Sequence, residues 1–166
     1  MATRELFTVG VLFNLYWLLA VLGQNSYLWL LVGSLLVCWW MARYVWKFAT
    51  IIAGCGIAMD FTLSYLGVLS FDVWGIPAWL ALLWFGFGTF LWMIREVLNR
   101  SSTGWLVLLG GLGGAASYFA GYRLGAVDWP LGMLPTMAVL TLCWLVFSML
   151  ALKFIRYWYR SEREVL

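Results

Sequence analysis

Phe48 to Leu69 reads FATIIAGCGIAMDFTLSYLGVL, one apolar run interrupted by a single acid, Asp60. A run of that length spans a bilayer, since a helix rises about 1.5 Å per residue and the hydrocarbon core is about 30 Å thick. Asp60 then lies about 18 Å from the Phe48 end, slightly past the midplane. An acid there costs about 2.5–3.5 kcal/mol on insertion scales, so it persists where protein shelters it. Gly56 and Ser64, one turn to either side, and Gly67 beyond them form a small, polar stripe that turns Asp60 towards other helices. The stretch therefore predicts a membrane helix with a functional candidate at its centre.

Outward from it the chain has the same character. Of its 166 residues 65% are hydrophobic and 10% charged, against about 25% charged in a soluble domain. Lipid is the solvent this composition fits. Six spans are expected, at 6–22, 27–41, 48–69, 77–94, 105–124 and 131–154, followed by a basic interfacial tail at 155–166. The expected fold is all-α, one integral membrane bundle. Turn-like breaks fall at Gly23 to Ser26, Ser70 to Ile76, Asn99 to Gly104 and Gly125 to Pro130, and Pro77 suits a first helical position.

Charge sets the expected orientation. Arg4, Arg43 and Lys47, Arg95 and Arg100, then Lys153, Arg156, Arg160 and Arg163 share one side of a six-span arrangement, and only Arg123 falls on the other. The positive-inside rule makes that side the cytoplasm and puts both termini there. The tryptophans agree in depth: Trp29, Trp74, Trp79 and Trp129 fall at the outer boundary, and Trp39, Trp40, Trp46, Trp92, Trp105 and Trp158 at the inner one.

The candidate ligand-binding residues follow from polarity at depth. Asn14 in the first span and Arg123 in the fifth are within depth reach of Asp60, Arg123 by lowering its flexible stem. Ser64, Tyr118 and Tyr122 add polar atoms towards the outer end, while Trp17, Trp84 and Trp144 lie deep enough to wall a pocket or to fill the bundle. Gly110, Gly114, Ser117, Gly121 and Gly125 make the fifth span a smooth strip for close packing, within one chain or between two in a homo-oligomer. The chain has no histidine, which removes imidazole bases and the usual zinc motifs. Cys38, Cys55 and Cys143 sit in apolar runs as small hydrophobes. No catalytic residues, metal or cofactor are expected, and the net charge of +3 is explained by topology rather than by nucleic acid.

Phe13-Asn14-Leu15-Tyr16-Trp17 through Gly23, the Asp60 helix ending Leu66-Gly67-Val68-Leu69, Pro77-Ala78-Trp79 through Trp84, and above all Gly113-Gly114-Ala115-Ala116-Ser117-Tyr118 through Val127 resemble the bacterial membrane family called domain of unknown function 2878. The resemblance covers nearly the whole chain. Members carry Gln at the position of Asn14, Pro at that of Ala115 and an Asn-His pair where this chain has Phe90-Leu91-Trp92. Asp60 and Arg123 match. The genes of such proteins tend to neighbour cyclopropane-fatty-acid-like methyltransferases and flavin oxidoreductases. The resemblance implies a link to membrane-lipid modification or oxidative stress.

Three functions fit these residues. The first is a non-enzymatic inner-membrane protein that binds or passes a lipid or small amphiphile, with membrane lipid as its partner. The second is an integral subunit or enzyme of fatty-acid or lipid modification that works with a soluble redox partner. The third is the substrate-binding subunit of a small-molecule uptake transporter.

Overall fold

The computed structural model describes residues 3–42 and 44–164, with side chains described only as far as Ser161. Arg43 and the side chain of Arg163, both used above for orientation, lie outside the described residues. The elements are α1 (Thr3–Gly23), α2 (Leu28–Met41), α3 (Val45–Tyr65), α4 (Ala78–Met93), α5 (Arg95–Arg100), α6 (Thr103–Arg123) and α7 (Met133–Glu164). No strand forms among the described residues. Four stretches are long and apolar enough to cross a membrane, Thr3–Met41, Val45–Tyr65, Thr103–Arg123 and Met133–Ser161; Ala78–Met93 is apolar but shorter. The first of them is not straight: a 3-10 turn, Gln24–Tyr27, separates α1 from α2, and Gln24 takes φ 44 to make it.

Helix ends explain the differences from the expected spans. α3 stops at Tyr65 rather than Leu69 because Gly67, at φ 72, closes a Schellman cap: its N–H reaches Ser64 O, and Val68 N–H reaches Leu63 O at 2.9 Å. Pro77 sits just outside α4, as its N-cap in extended backbone, so the helix begins at Ala78. The short α5 occupies chain that reads as the end of a span and a turn.

That cap recurs. In α6 Gly125, at φ 73, bonds back to Tyr122 O and Ala126 to Gly121 O, at the same places 58 residues on. α3 and α6 are each 21 residues long. Beyond each cap the loops meet, where Ser70 N–H donates to Asp128 O and Asp128 N–H to Ser70 O. Each loop then feeds a helix near a proline, Pro77 and Pro135. Reciprocal bonds between equivalent positions are what a local twofold axis produces. The α3–α4 and α6–α7 hairpins are thus two copies of one unit, running the same way through the bundle, as in parallel membrane repeats.

α1 and α2 pack together on α4. Phe13 stacks on Phe90 at 4.5 Å, and the Tyr16 hydroxyl donates to Leu82 O at 2.8 Å, so α1 runs antiparallel to α4. Gly86 permits this approach, because a Cβ there would lie 2.2 Å from the Tyr16 ring. Trp39 Nε1 donates to Thr89 Oγ1 from α2. Tyr16→Phe should cost about 1 kcal/mol, the net worth of one such bond, read as a lowered midpoint in thermal unfolding.

At the opposite end Arg156 ties α7 to the start of α6, donating to Thr103 Oγ1 at 2.7 Å and Ser101 O at 2.9 Å. α7 continues as a helix past 155, where Ile155 is 2% exposed and Trp158 packs edge-on against Phe48. Not all the boundary tryptophans face outward. Trp29, Trp40, Trp74 and Trp105 are well exposed, but Trp79, Trp92 and Trp129 are buried in the core. The outer surface carries leucine and valine such as Leu36, Leu112, Leu142 and Val146, an apolar exterior suited to acyl chains.

Candidate functional site

The centre of the bundle is a four-layer stack. Trp84 of α4 and Trp144 of α7 lie face to face, ring centroids 5.4 Å apart and planes within 13°. Each indole is backed by a glycine of its own hairpin. A Cβ on Gly56 would sit 2.2 Å from Trp84 ring carbons, and one on Gly114 1.9 Å from those of Trp144. Flat rings need flat backing, and glycine alone supplies it at this distance.

Asp60 locks the stack. It is fully buried, accepting a hydrogen bond from Trp84 Nε1 at 2.6 Å on Oδ2 and one from the Tyr118 hydroxyl on Oδ1. Asp60 and Tyr118 are equivalent positions in the two hairpins, each one turn beyond its glycine, so this bond also crosses the twofold. Trp144 Nε1 is buried without a partner among the described residues, and the residue at the place equivalent to Asp60 is Tyr118.

The expected partners of Asp60 are therefore replaced. Arg123 is exposed at the end of α6, and Asn14 spends a hydrogen on Gly10 O of its own helix at 2.8 Å; neither bonds Asp60 among the described residues. An indole and a phenol satisfy the acid without burying a second charge, whose desolvation would cost several kcal/mol. Ser64 is half-buried beside the loop after α3, and Tyr122 is exposed, stacking on Trp129 at 4.7 Å. Ser64, Tyr122 and Arg123 do not join the central cluster.

In front of the stack lies a groove of about 540 Å³ between α1, α4 and α6. Trp84, Trp144 and Tyr118 form its floor, while Phe13, Asn14 and Trp17 form the α1 wall. Five of the nine sequence candidates thus meet here, and Asp60 stands behind the floor rather than in the groove. The α6 wall is low because Gly110, Gly113, Ser117 and Gly121 are small. At the equivalent places on α3, Gly113 is matched by Cys55 and Ser117 by Met59, which packs on the core. The repeat thus places small residues on the α6 side where α3 carries the larger Cys55 and Met59. No Lys, Arg, Asp or Glu lines the groove. A smaller groove of about 380 Å³ runs between α1, α2 and α4. The three cysteines are unpaired.

The stacked floor is the feature that residue-by-residue reading missed. Its signals were the spacing of Gly56 and Gly114, of Leu66-Gly67 and Leu124-Gly125, and of Pro77 and Pro135. Among known proteins, the family described as Protein of unknown function (DUF2878) matches residues 6–150. No curated protein and no solved structure matches the chain.

Proposed function

The chain belongs to the DUF2878 family, whose function is unknown, and from its geometry we propose that it is a non-enzymatic membrane protein that holds the chain of a lipid or small amphiphile in the groove between α1, α4 and α6. The observation that carries this reading is the groove itself, about 540 Å³ and walled largely by apolar side chains. Pockets of about 300–1,000 Å³ with apolar walls and a few polar atoms are typical of small-molecule sites. Asp60 contributes at one remove, by fixing Trp84 and Tyr118. A floor held by hydrogen bonds and glycine backing stays open without a ligand to prop it, which lowers the ordering cost of binding.

The proposed setting is a bacterial inner membrane crossed six times, with both termini cytoplasmic. The turn at Gln24–Tyr27 divides Thr3–Met41 into two crossings. α4, with 16 residues, is about 24 Å long and crosses beside α3. Of the described basic residues Arg123 alone then falls outside.

Gly113→Leu tests the reading. A Cβ at Gly113 meets nothing within 4 Å, so the bundle folds while the new side chain fills the groove. Co-purified lipid, read as retained adducts in native mass spectrometry, should fall by about tenfold, the equivalent of about 1.4 kcal/mol. Adducts retained at the wild-type level by a folded Gly113→Leu protein contradict it.

A further inference from the structure

We infer that the occupant of the groove is an uncharged, hydroxyl-bearing amphiphile, and that carboxylate and phosphate headgroups are excluded from the groove; this rests on the reading of the groove as a lipid site. The first observation is that no formally charged side chain lines the groove among the described residues. Asp72 and Asp128 directly follow the lining residues Phe71 and Val127, yet both are exposed and neither is part of the lining. Asp60 is sealed at 0% exposure behind Trp84 and Tyr118, and Arg123 is exposed beyond the end of α6 and takes no part in the lining. An anionic group drawn among these side chains would be desolvated with no counter-charge to meet it.

The second observation is how the polar lining atoms are already used. Tyr118 gives its only hydroxyl proton to Asp60. Ser117 gives its own to Gly114 O at 2.8 Å, and Asn14 gives one amide hydrogen to Gly10 O. What remains is acceptor capacity on Asn14 Oδ1 and Ser117 Oγ, one amide hydrogen on Asn14 and the indole N–H of Trp144, which has no partner among the described residues. That set suits a hydroxyl, which donates and accepts. A carboxylate or phosphate only accepts, and the donors it would meet there are few and uncharged, with no cation among the described lining residues.

The third is the floor. Trp84 and Trp144 present aromatic surface beside Phe13, Trp17 and Phe87, a bed for a hydrocarbon chain or flat ring that needs no polar partner.

The experiment offers the full-length protein equal amounts of monoolein and oleate at alkaline pH, where oleate is ionised, and counts bound copies by native mass spectrometry. The two probes share one chain and differ in the head. Monoolein should bind at least about tenfold better, the measure of leaving a charge unpaired at this depth, and Gly113→Leu should abolish the preference. Equal binding, or an oleate preference, that Gly113→Leu removes overturns the inference about charge and leaves the groove as the site. Binding of either probe that Gly113→Leu leaves unchanged overturns both readings.

Discussion

Asp60→Tyr and Tyr118→Asp should each cost about 3–5 kcal/mol of stability, from hydrogen bonds to a buried acid worth about 1.5–3 kcal/mol each and from buried groups left unsatisfied at about 1–3 kcal/mol, and the double exchange should recover most of it. Asp60→Tyr leaves two phenols facing each other and strips Trp84 Nε1 of its acceptor, so both stacked indoles hold orphan donors. Tyr118→Asp sets two carboxyl groups against each other, which like-charge repulsion opposes. In the exchanged protein the acid and phenol simply trade hairpins. The twofold then gives the acid a donor from Trp144, whose N–H is idle in the native chain, while Trp84 becomes the idle one. Thermal unfolding of the four proteins forms a double-mutant cycle. A coupling energy of about 2–3 kcal/mol or more in favour of the exchange is expected. Simple additivity of two damaging changes contradicts the equivalence of the hairpins.

Gly114→Ala should be nearly as damaging, though it adds one methyl group. The added carbon lies 1.9 Å from the Trp144 ring. That ring cannot retreat, because Trp84 lies flat against it and Gly56 backs Trp84 in turn. Overpacking costs about 1–3 kcal/mol where neighbours can adjust, and this stack offers little adjustment, so the upper end is expected. Gly113→Ala, one residue earlier, meets open space and should be neutral or stabilising by up to about 1 kcal/mol through helix propensity. The check is thermal unfolding together with near-ultraviolet circular dichroism, which reports the indole pair. Equal stability of the two variants would mean the stack is not as tight as the backing glycines imply.

Hydropathy alone carried the helices, because each apolar run is bounded by glycine, proline or charge and its length is set by the bilayer. It overran α3 by four residues, since Leu66 to Leu69 remain apolar after the Gly67 cap has turned the chain. Asp60 was legible as a sheltered acid for the same reason that its burial is costly. Its partners were not legible. Depth along the membrane favoured Arg123 and Asn14, but which face of a helix meets which neighbour depends on packing, and Trp84 and Tyr118 face Asp60 because Gly56 and Gly114 let two indoles enter the axis. The tryptophans expected at the boundaries divided likewise, because the burial of Trp79 and Trp129 comes from neighbouring helices that hydropathy does not locate. The duplication was present as paired motifs, Leu66-Gly67 and Leu124-Gly125, masked by the similar composition of every span.

On the proposed function, the binding groove lies along one seam of this repeated bundle only. Cys55 and Met59 on α3 occupy the same positions as Gly113 and Ser117 on α6, and Cys55 is likewise exposed. A monoacylglycerol with a photoreactive diazirine in its chain, activated in bilayers holding the full-length protein and mapped by peptide mass spectrometry, compares the two seams directly. Labels concentrated on Trp17, Gly113 and Ser117, well above those on Cys55 and Met59, are what the account predicts. Equal labelling of the two seams, or labels concentrated on α3, would contradict it.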